Sequence, residues 1–170
     1  EEEGEAVARG KLLDSEAEIV FELQNITEID PNRFREHPIT AAVSGLAYRA
    51  RINATAVAPV FAPLAQRFPR RKVAENDYAV RGRILSWREI KNPLTTSNLI
   101  LIDVEAGEIK IEVLVNRDDL KGELKRDAWL SSEVWLQGHI LNEKELQARY
   151  EGIDRQPYRN NFWKKLRREI

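Results

Sequence analysis

Histidine and cysteine, two side chains that are common in catalytic sites, are scarce or absent in this chain of 170 residues. It has no cysteine and two histidines, so disulfides, thiolate metal sites and thiol nucleophiles are excluded. His139 alternates with Gly138 and Ile140, and no carboxylates stand at the spacing of metal ligands, so we expect a structural histidine. Asp118 and Asp119 suit the start of a short helix better than acid–base chemistry. The sequence therefore predicts no catalytic residue, no metal and no cofactor, and a protein that is not an enzyme.

Residues 86–97 offer ligand-binding chemistry instead. Trp87 is a stacking ring, Arg88 and Lys91 are cations, and the rest of the segment is rich in hydroxyls and amides. This mixture suits a sugar or a phosphate backbone. The alternative, which we favour, is that Trp87 closes one end of its domain and the remaining residues form a solvated loop. All three side chains remain candidates for ligand binding.

Two basic clusters are candidates for contact with an anionic partner. One lies around residues 67–83, and the other is the tail, residues 155–170. On a helix beginning near Asn160, its large apolar side chains would share one face surrounded by cations. Such a segment docks on a partner protein, an anionic membrane surface or RNA, or else packs on its own domain. We expect the tail to bind an external partner and not its own domain. The first cluster consists of Arg67, Arg70, Arg71 and Lys72, continued by Arg81 and Arg83, and the tail residues concerned are Tyr158, Phe162, Trp163, Lys164, Lys165, Arg167 and Arg168.

Several runs of residues have the pattern of β-strands, and these strands would position the candidate side chains. Leu99–Val115 consists of two runs rich in β-branched residues around Glu105–Gly107, a glycine-containing break of the kind that closes a hairpin. Tyr78–Leu85 is apolar at alternate positions, and a polar stretch long enough for a helical turn or two separates the hairpin from Glu133–Leu141. A further short run, Leu146–Ile153, can supply a fifth strand.

Three motifs in these runs resemble those of the OB-fold, a small Greek-key barrel. Val80–Ile84 resembles its first strand, Asp103–Ile109 the turn between its second and third strands, and Val134–Ile140 its fourth strand. Gly82 and Gly138 fit the bends of a tightly coiled barrel. The resemblance covers less than half of the chain. It implies a mainly β protein, in which a C-terminal five-stranded OB-like Greek-key barrel follows a small β or α+β unit.

The resemblance also implies where a ligand would bind. Barrels of this kind that bind single strands present aromatic side chains on their second and third strands, because bases stack on them at about 1–3 kcal/mol each. Here these strands contain no aromatic residue. Lys110 can meet a phosphate there, but Glu112 beside it would repel one. The net charge is −1, so the chain as a whole does not attract nucleic acid.

We therefore favour a non-enzymatic protein–protein scaffold or a self-associating module. The alternative is a protein that binds single-stranded DNA or RNA through residues 86–97 and the basic clusters. No apolar run approaches the length of a membrane span. A chain without cysteine suits cytoplasm and periplasm alike; we favour the cytoplasm, and a removed signal or anchor is the alternative.

The chain divides into three segments by pattern. Residues 1–74 form a small β-rich unit, residues 75–154 form the barrel, and residues 155–170 form the tail. Within the first segment, Ala6–Leu13 and Ala17–Gln24 predict a hairpin, and Leu46–Thr55 alternates like a strand. The prolines of Val57–Phe68 predict a turn of helix or an extended crossing segment. Residues 69–77 read as the linker into the barrel.

Overall fold

The computed structural model describes residues 7–13, 17–29 and 39–141, and this part of the chain is mostly β, as predicted. It contains one short α-helix, α1 (Leu64–Arg67), and two single turns of 3-10 helix, Ile26–Glu28 and Arg117–Asp119. Its nine strands are β1 (Val7–Lys11), β2 (Glu18–Leu23), β3 (Ala41–Asn53), β4 (Val60–Pro63), β5 (Asp77–Lys91), β6 (Asn98–Ala106), β7 (Ile109–Asn116), β8 (Leu120–Lys121) and β9 (Trp129–Ile140).

Five of these strands close into a barrel, which confirms the fold class predicted from the sequence. Around the barrel the order is β5, β6, β7, β3, β9 and again β5. All pairs are antiparallel except β3 and β7, which run parallel. Gly107 and Glu108 join β6 to β7, and Gly107 has a φ of +70°, a backbone conformation that glycine adopts at no steric cost.

The strand that closes the barrel is not the one that the sequence pattern suggested. Residues 146–153, the predicted fifth strand, lie outside the described residues. The position between β7 and β9 is taken by β3, where Ser44 pairs with Glu112 and Ala41 pairs with Ile140. β3 thus lies inside the predicted N-terminal segment 1–74 but belongs to the barrel. The described residues up to Ile140 form part of one compact unit.

Alternation along the strands produces the core. On β9, the side chains at even positions from Leu130 to Ile140 face inward, and those at odd positions face outward. The barrel strands contribute branched aliphatic side chains that are almost completely buried, so the interior is filled in the manner of a small barrel. They include Val80, Ile84, Ile102, Val104, Val113, Leu130, Val134 and Leu136.

The β1–β2 hairpin, predicted from the sequence, lies against one end of β9. Glu22 and Leu23 pair in parallel with Gln137 and Gly138. Asn25 extends this attachment, since its side-chain amide donates to the Ile140 carbonyl at 3.0 Å and accepts from the Ile140 N–H at 3.1 Å. The hairpin is therefore joined to the barrel by backbone and side-chain hydrogen bonds.

Candidate functional site

A groove crosses the outer wall of the barrel over β3, β9 and β5, and two rows of outward side chains form its floor. In the first row, Ser131 of β9 lies between Arg51 of β3 and Arg81 of β5. In the second row, Glu133 lies between Arg49 and Ala79. Because neighbouring strands are about 4.8 Å apart, Arg51 and Arg81 start about 10 Å from each other on the same face. This spacing allows both guanidinium groups to reach one ligand.

A bulge in β3 makes this arrangement possible. The pairing of β3 with β9 shifts between Ala47 and Arg49, so Tyr48 is the extra residue and its ring is exposed. The Tyr48 hydroxyl donates to Asp77 Oδ1 at 2.8 Å. A bulge changes which residues face outward along a strand. Beyond it, Arg49 and Arg51 face the groove, and Ala50 faces the core.

The walls of the groove come from short elements on either side. One wall comes from β4, α1 and the residue after α1, and the other from the 3-10 turn and β8. The first is lined by Val60, Leu64, Arg67 and Phe68, the second by Asp119 and Lys121. The cavity has a volume of about 380 Å³. Its lining includes five basic side chains, Arg49, Arg51, Arg67, Arg81 and Lys121, against two acidic ones. We call this cavity the basic groove.

Only some of this charge is neutralised within the protein. Glu133 accepts from Arg49 Nη2 at 2.6 Å and from Arg71 Nη1 at 2.9 Å. Burial disfavours ionisation of Glu133, but these hydrogen bonds outweigh it and hold the pKa of Glu133 below its usual value. The other four basic side chains of the groove form no ion pair with another described residue. Unpaired cations in a concave site attract anions.

Phe68 adds an apolar surface to the basic groove. It follows α1 directly, and its N–H donates to the Leu64 carbonyl at 2.8 Å, which closes the helical turn. The ring nevertheless stays 45% exposed. The next turn brings Arg71 back toward Glu133, because the Arg71 N–H donates to the Phe68 carbonyl. An exposed aromatic ring beside cations suits a ligand with both an apolar and an anionic part.

The structure brings only one of the six predicted ligand-binding residues, Arg81, into the groove. Arg83, two positions further along β5, donates to Glu105 at 2.6 Å and to Asp127 at 3.3 Å. Glu105 also lies 3.9 Å from Lys110. Hydrogen bonding to Arg83 holds the pKa of Glu105 below its usual value. The charges of Arg83 and Lys110 are therefore balanced locally, away from the groove.

Trp87, Arg88 and Lys91 are not loop residues, contrary to the prediction for residues 86–97. The pairing of β5 with β6 shifts between Ile84 and Ser86 and then continues to Lys91. Trp87 is 37% exposed, Arg88 lies 3.5 Å from Glu112, and Lys91 lines a second cavity. These side chains are separated along a regular strand, so they do not form one loop-based site.

In the true loop, residues 92–97, polar groups form hydrogen bonds with one another. The side-chain oxygen of Asn92 accepts from the N–H groups of Leu94 and Thr95 at 2.9 and 3.2 Å. The Thr95 hydroxyl donates to Ser97 Oγ at 2.9 Å. Thr96 has a φ of +59°, which fits a tight connection between two strands. The amides and hydroxyls that suggested a ligand site thus stabilise the turn.

The outer face of β6 and β7 carries three carboxylates. Asp103, Glu105 and Glu112 face outward there, and Asp103 lies directly opposite Glu112. Ser86 donates to Asp103 from the neighbouring strand. Carboxylates in these positions repel a phosphate backbone, in keeping with the prediction that this face lacks the features of a strand-binding surface.

Sequence reasoning missed Arg49, Arg51 and Lys121 as groove residues. A signal was present for the first two, because Arg49 and Arg51 alternate with buried Ala50 in a segment predicted as a strand. Lys121 gave no signal, since its place depends on the parallel pairing of β8 with β3. The predicted tail residues, Tyr158 to Arg168, lie outside the described part of the chain.

His139 lies beside Asn25, with Nε2 3.3 Å from the Asn25 side-chain nitrogen. Among the described residues, no group of three or more histidine or acidic side chains could hold a metal ion. No helix in the described ranges is long and apolar enough to cross a membrane.

Comparison with known proteins adds one similarity. No curated protein and no solved structure matches the chain. A family model described as a domain of unknown function, E. rectale gene description (DUF3881), matches residues 58–138. The match begins just before β4 and ends two residues before the end of β9, so it includes Arg67, Arg81 and Glu133 but not β3. The chain is similar to this family over most of the barrel and most of the basic groove.

Proposed function

We propose that this protein is a non-enzymatic binding module that docks an acidic segment of a protein partner in the basic groove. The observation that carries the proposal is the setting of Glu133, whose carboxylate is held by Arg49 and Arg71 at 2.6 and 2.9 Å. The groove therefore already holds one carboxylate between two guanidinium groups. Arg51, Arg67, Arg81 and Lys121 are available for further carboxylates of a partner.

The chemistry of the groove supports a binding role over an enzymatic one. A general acid or base works best when its pKa lies near the operating pH. The ionisable side chains that line the groove are arginines, one lysine and two carboxylates. The carboxylate at the centre, Glu133, has a lowered pKa and so stays ionised at neutral pH. Fixed charges of this kind are suited to holding a partner.

Single-stranded nucleic acid is the second candidate ligand. The observation that favours it is Phe68, an exposed ring within a groove rich in arginine, since bases stack on such rings and arginines bind phosphates. β6 and β7 contain no aromatic residue on which further bases could stack, and this favours the protein partner instead. Self-association is a protein–protein interaction of the same kind.

Fluorescence anisotropy with two labelled probes tests the proposal. One probe is a peptide of alternating glutamate and glycine, the other a single-stranded oligonucleotide, and each is titrated at low and at physiological salt. We expect the peptide to bind, and the variant Arg51→Ala/Arg81→Ala to weaken binding by at least tenfold, because hydrogen bonds to charged groups contribute about 1.5–3 kcal/mol each.

Arg88→Ala is the matched control, since Arg88 is an arginine on the barrel wall that pairs with Glu112 outside the groove. It should leave peptide binding unchanged. Equal affinities for wild type and the double variant would contradict the proposal. Binding of the oligonucleotide alone, with the same loss in the double variant, would favour the second candidate.

A further inference from the structure

Glu133 is one of two acidic side chains in the lining of the groove, and unlike Asp119 it forms ion pairs with described arginines. It projects from β9, the strand between β3 and β5, and its side chain is only 16% exposed. Arg49 approaches it from the opposite position on β3, and Arg71 approaches from the turn that follows α1. The carboxylate therefore links one side of the basic groove to the other.

Glu133 distinguishes two pairs of arginines. Arg49 and Arg71 share its single negative charge, whereas Arg51 and Arg81, in the adjoining row of the floor, form no ion pair with a described residue. A carboxylate of the partner that approached Arg49 and Arg71 would meet Glu133 at hydrogen-bond distance. The partner's carboxylate could bind these two arginines only by displacing Glu133.

We propose that Glu133 is an internal counter-ion that competes with the partner and so determines how tightly the basic groove binds. This inference rests on the proposed function. Displacement exchanges one carboxylate for another on the same two arginines, so those arginines add little to the affinity of the wild-type protein. Only partners with enough negative charge to engage Arg51 and Arg81 as well would bind, which makes Glu133 a residue that determines specificity.

The test is the variant Glu133→Gln, titrated with the same glutamate–glycine peptide. Glutamine keeps the shape of the side chain but removes the charge, so Arg49 and Arg71 become available. We expect the variant to bind the peptide about three- to tenfold more tightly than wild type, since exposed ion pairs contribute modestly. Its affinity should also fall more steeply with salt, because more cations take part in binding.

A double-mutant cycle with Arg71→Ala gives a readout that a merely structural role would not produce. In wild type, Arg71 is already engaged by Glu133, so Arg71→Ala should change the affinity by less than about twofold. In the Glu133→Gln background, the same substitution should abolish most of the gain. Glu105→Gln is the matched control, because Glu105 pairs with Arg83 outside the groove, and it should leave peptide binding unchanged.

The outcomes separate the inference from the proposed function. If Arg51→Ala/Arg81→Ala weakens binding but Glu133→Gln does not tighten it, the inference is overturned and the proposed function stands. If neither variant changes binding, both are overturned. Should Glu133→Gln fail to fold, Glu133→Ala takes its place, because it also removes the charge and should also tighten binding. Unchanged or weaker binding by that variant would overturn the inference.

Discussion

At the scale of single residues, two glycines allow neighbouring parts of the structure to approach closely. A Cβ atom at Gly82 would lie 2.7 Å from Val104 Cγ1 and nearer still to the Glu105 carbonyl oxygen. At Gly138 it would lie 3.0 Å from Phe21 Cγ and nearer to the edge of that ring. The first glycine thus lets β5 bend against β6, and the second provides the seat for the β1–β2 hairpin.

These distances predict the effect of adding a single methyl group. Gly82→Ala and Gly138→Ala should each lower the free energy of unfolding by more than about 1 kcal/mol, because overpacking forces neighbouring atoms to move. Gly82→Ala should cost more, since it meets backbone, whereas the ring of Phe21 can shift with its hairpin. Chemical denaturation monitored by tryptophan fluorescence measures both.

Gly10→Ala is the control, because no atom lies within 4 Å of a Cβ placed there. Its free energy of unfolding should stay within about 0.5 kcal/mol of that of wild type. Midpoints for the Gly82 and Gly138 variants equal to that of the control would show that the close approaches are absent.

Residue types alone predicted part of the candidate site. Arg81 was predicted on a strand because it alternates with apolar residues in a well-patterned run, and the structure has it on β5, in the lining of the basic groove. Arg83 has the same type and the same face, but Glu105 and Asp127 neutralise it. Those partners come from β6 and from the segment before β9. No local pattern distinguishes an arginine that pairs within the protein from one that is available to a ligand.

At the scale of elements, the β1–β2 hairpin depends on a hydroxyl from the barrel. The Val20 N–H is buried and donates to the Tyr78 hydroxyl at 3.0 Å. Burial raises the pKa of Tyr78, so the hydroxyl stays neutral and available as an acceptor. The ring of Tyr78 also packs against Phe61, with centroids 5.0 Å apart. One side chain of β5 therefore supports β2 and β4.

Tyr78→Phe isolates the contribution of the hydroxyl. We expect the free energy of unfolding to fall by about 1–3 kcal/mol, because a buried N–H loses its partner while the packing of the ring is retained. Tyr48→Phe is the comparison: its hydroxyl also makes a hydrogen bond, to Asp77, but the residue is 54% exposed, so water can replace the bond. Equal losses in the two variants would contradict a special role for the hydroxyl of Tyr78.

The strands themselves were largely predictable, with one instructive exception. Alternation identified β6, β7, β9 and the first half of β5, and of β3 it identified the part from Leu46 onward. The second half of β5 was predicted as loop because Ser86–Lys91 has too few apolar residues to show a period. The bulge after Ile84 also shifts the alternation by one position. A strand that extends beyond a bulge at a barrel end therefore does not look like a strand in sequence.

At the scale of the whole molecule, closure of the barrel could not be derived from local pattern. Two segments had a pattern suited to the position between β7 and β9, residues 146–153 and the segment that became β3. Apolar and polar residues alternate in both segments. The sequence of one strand does not indicate which distant strand it pairs with. Close contacts between neighbouring strands accompany closure by β3, such as Gly45 against Val134 of β9, where a Cβ would lie 2.9 Å from that side chain.

Closure by β3 predicts which fragments can fold. Residues 75–154, the predicted barrel segment, should show no cooperative unfolding transition, because removing β3 leaves β7 and β9 with unpaired edges. Residues 39–141 retain all five barrel strands. This fragment should unfold cooperatively, though at a lower midpoint than the full chain, since it lacks the β1–β2 hairpin.

Circular dichroism and thermal unfolding distinguish the two fragments. A cooperative transition in residues 75–154 would show that another segment can close the barrel in place of β3. Loss of cooperativity in both fragments would show that the hairpin is needed for the fold as well as for its stability.

The early place of β3 in the chain also has a consequence for how the protein is made. Domains tend to fold from the N-terminus as the chain leaves the ribosome. β3 emerges before its partners, however, and it waits through the synthesis of β4 to β7 before β7 is available, and longer still for β9. The meander β5–β6–β7 has only short-range pairings and can form during that wait. The nascent chain thus carries an unpaired strand for much of its synthesis, a state in which holding chaperones would protect it from aggregation.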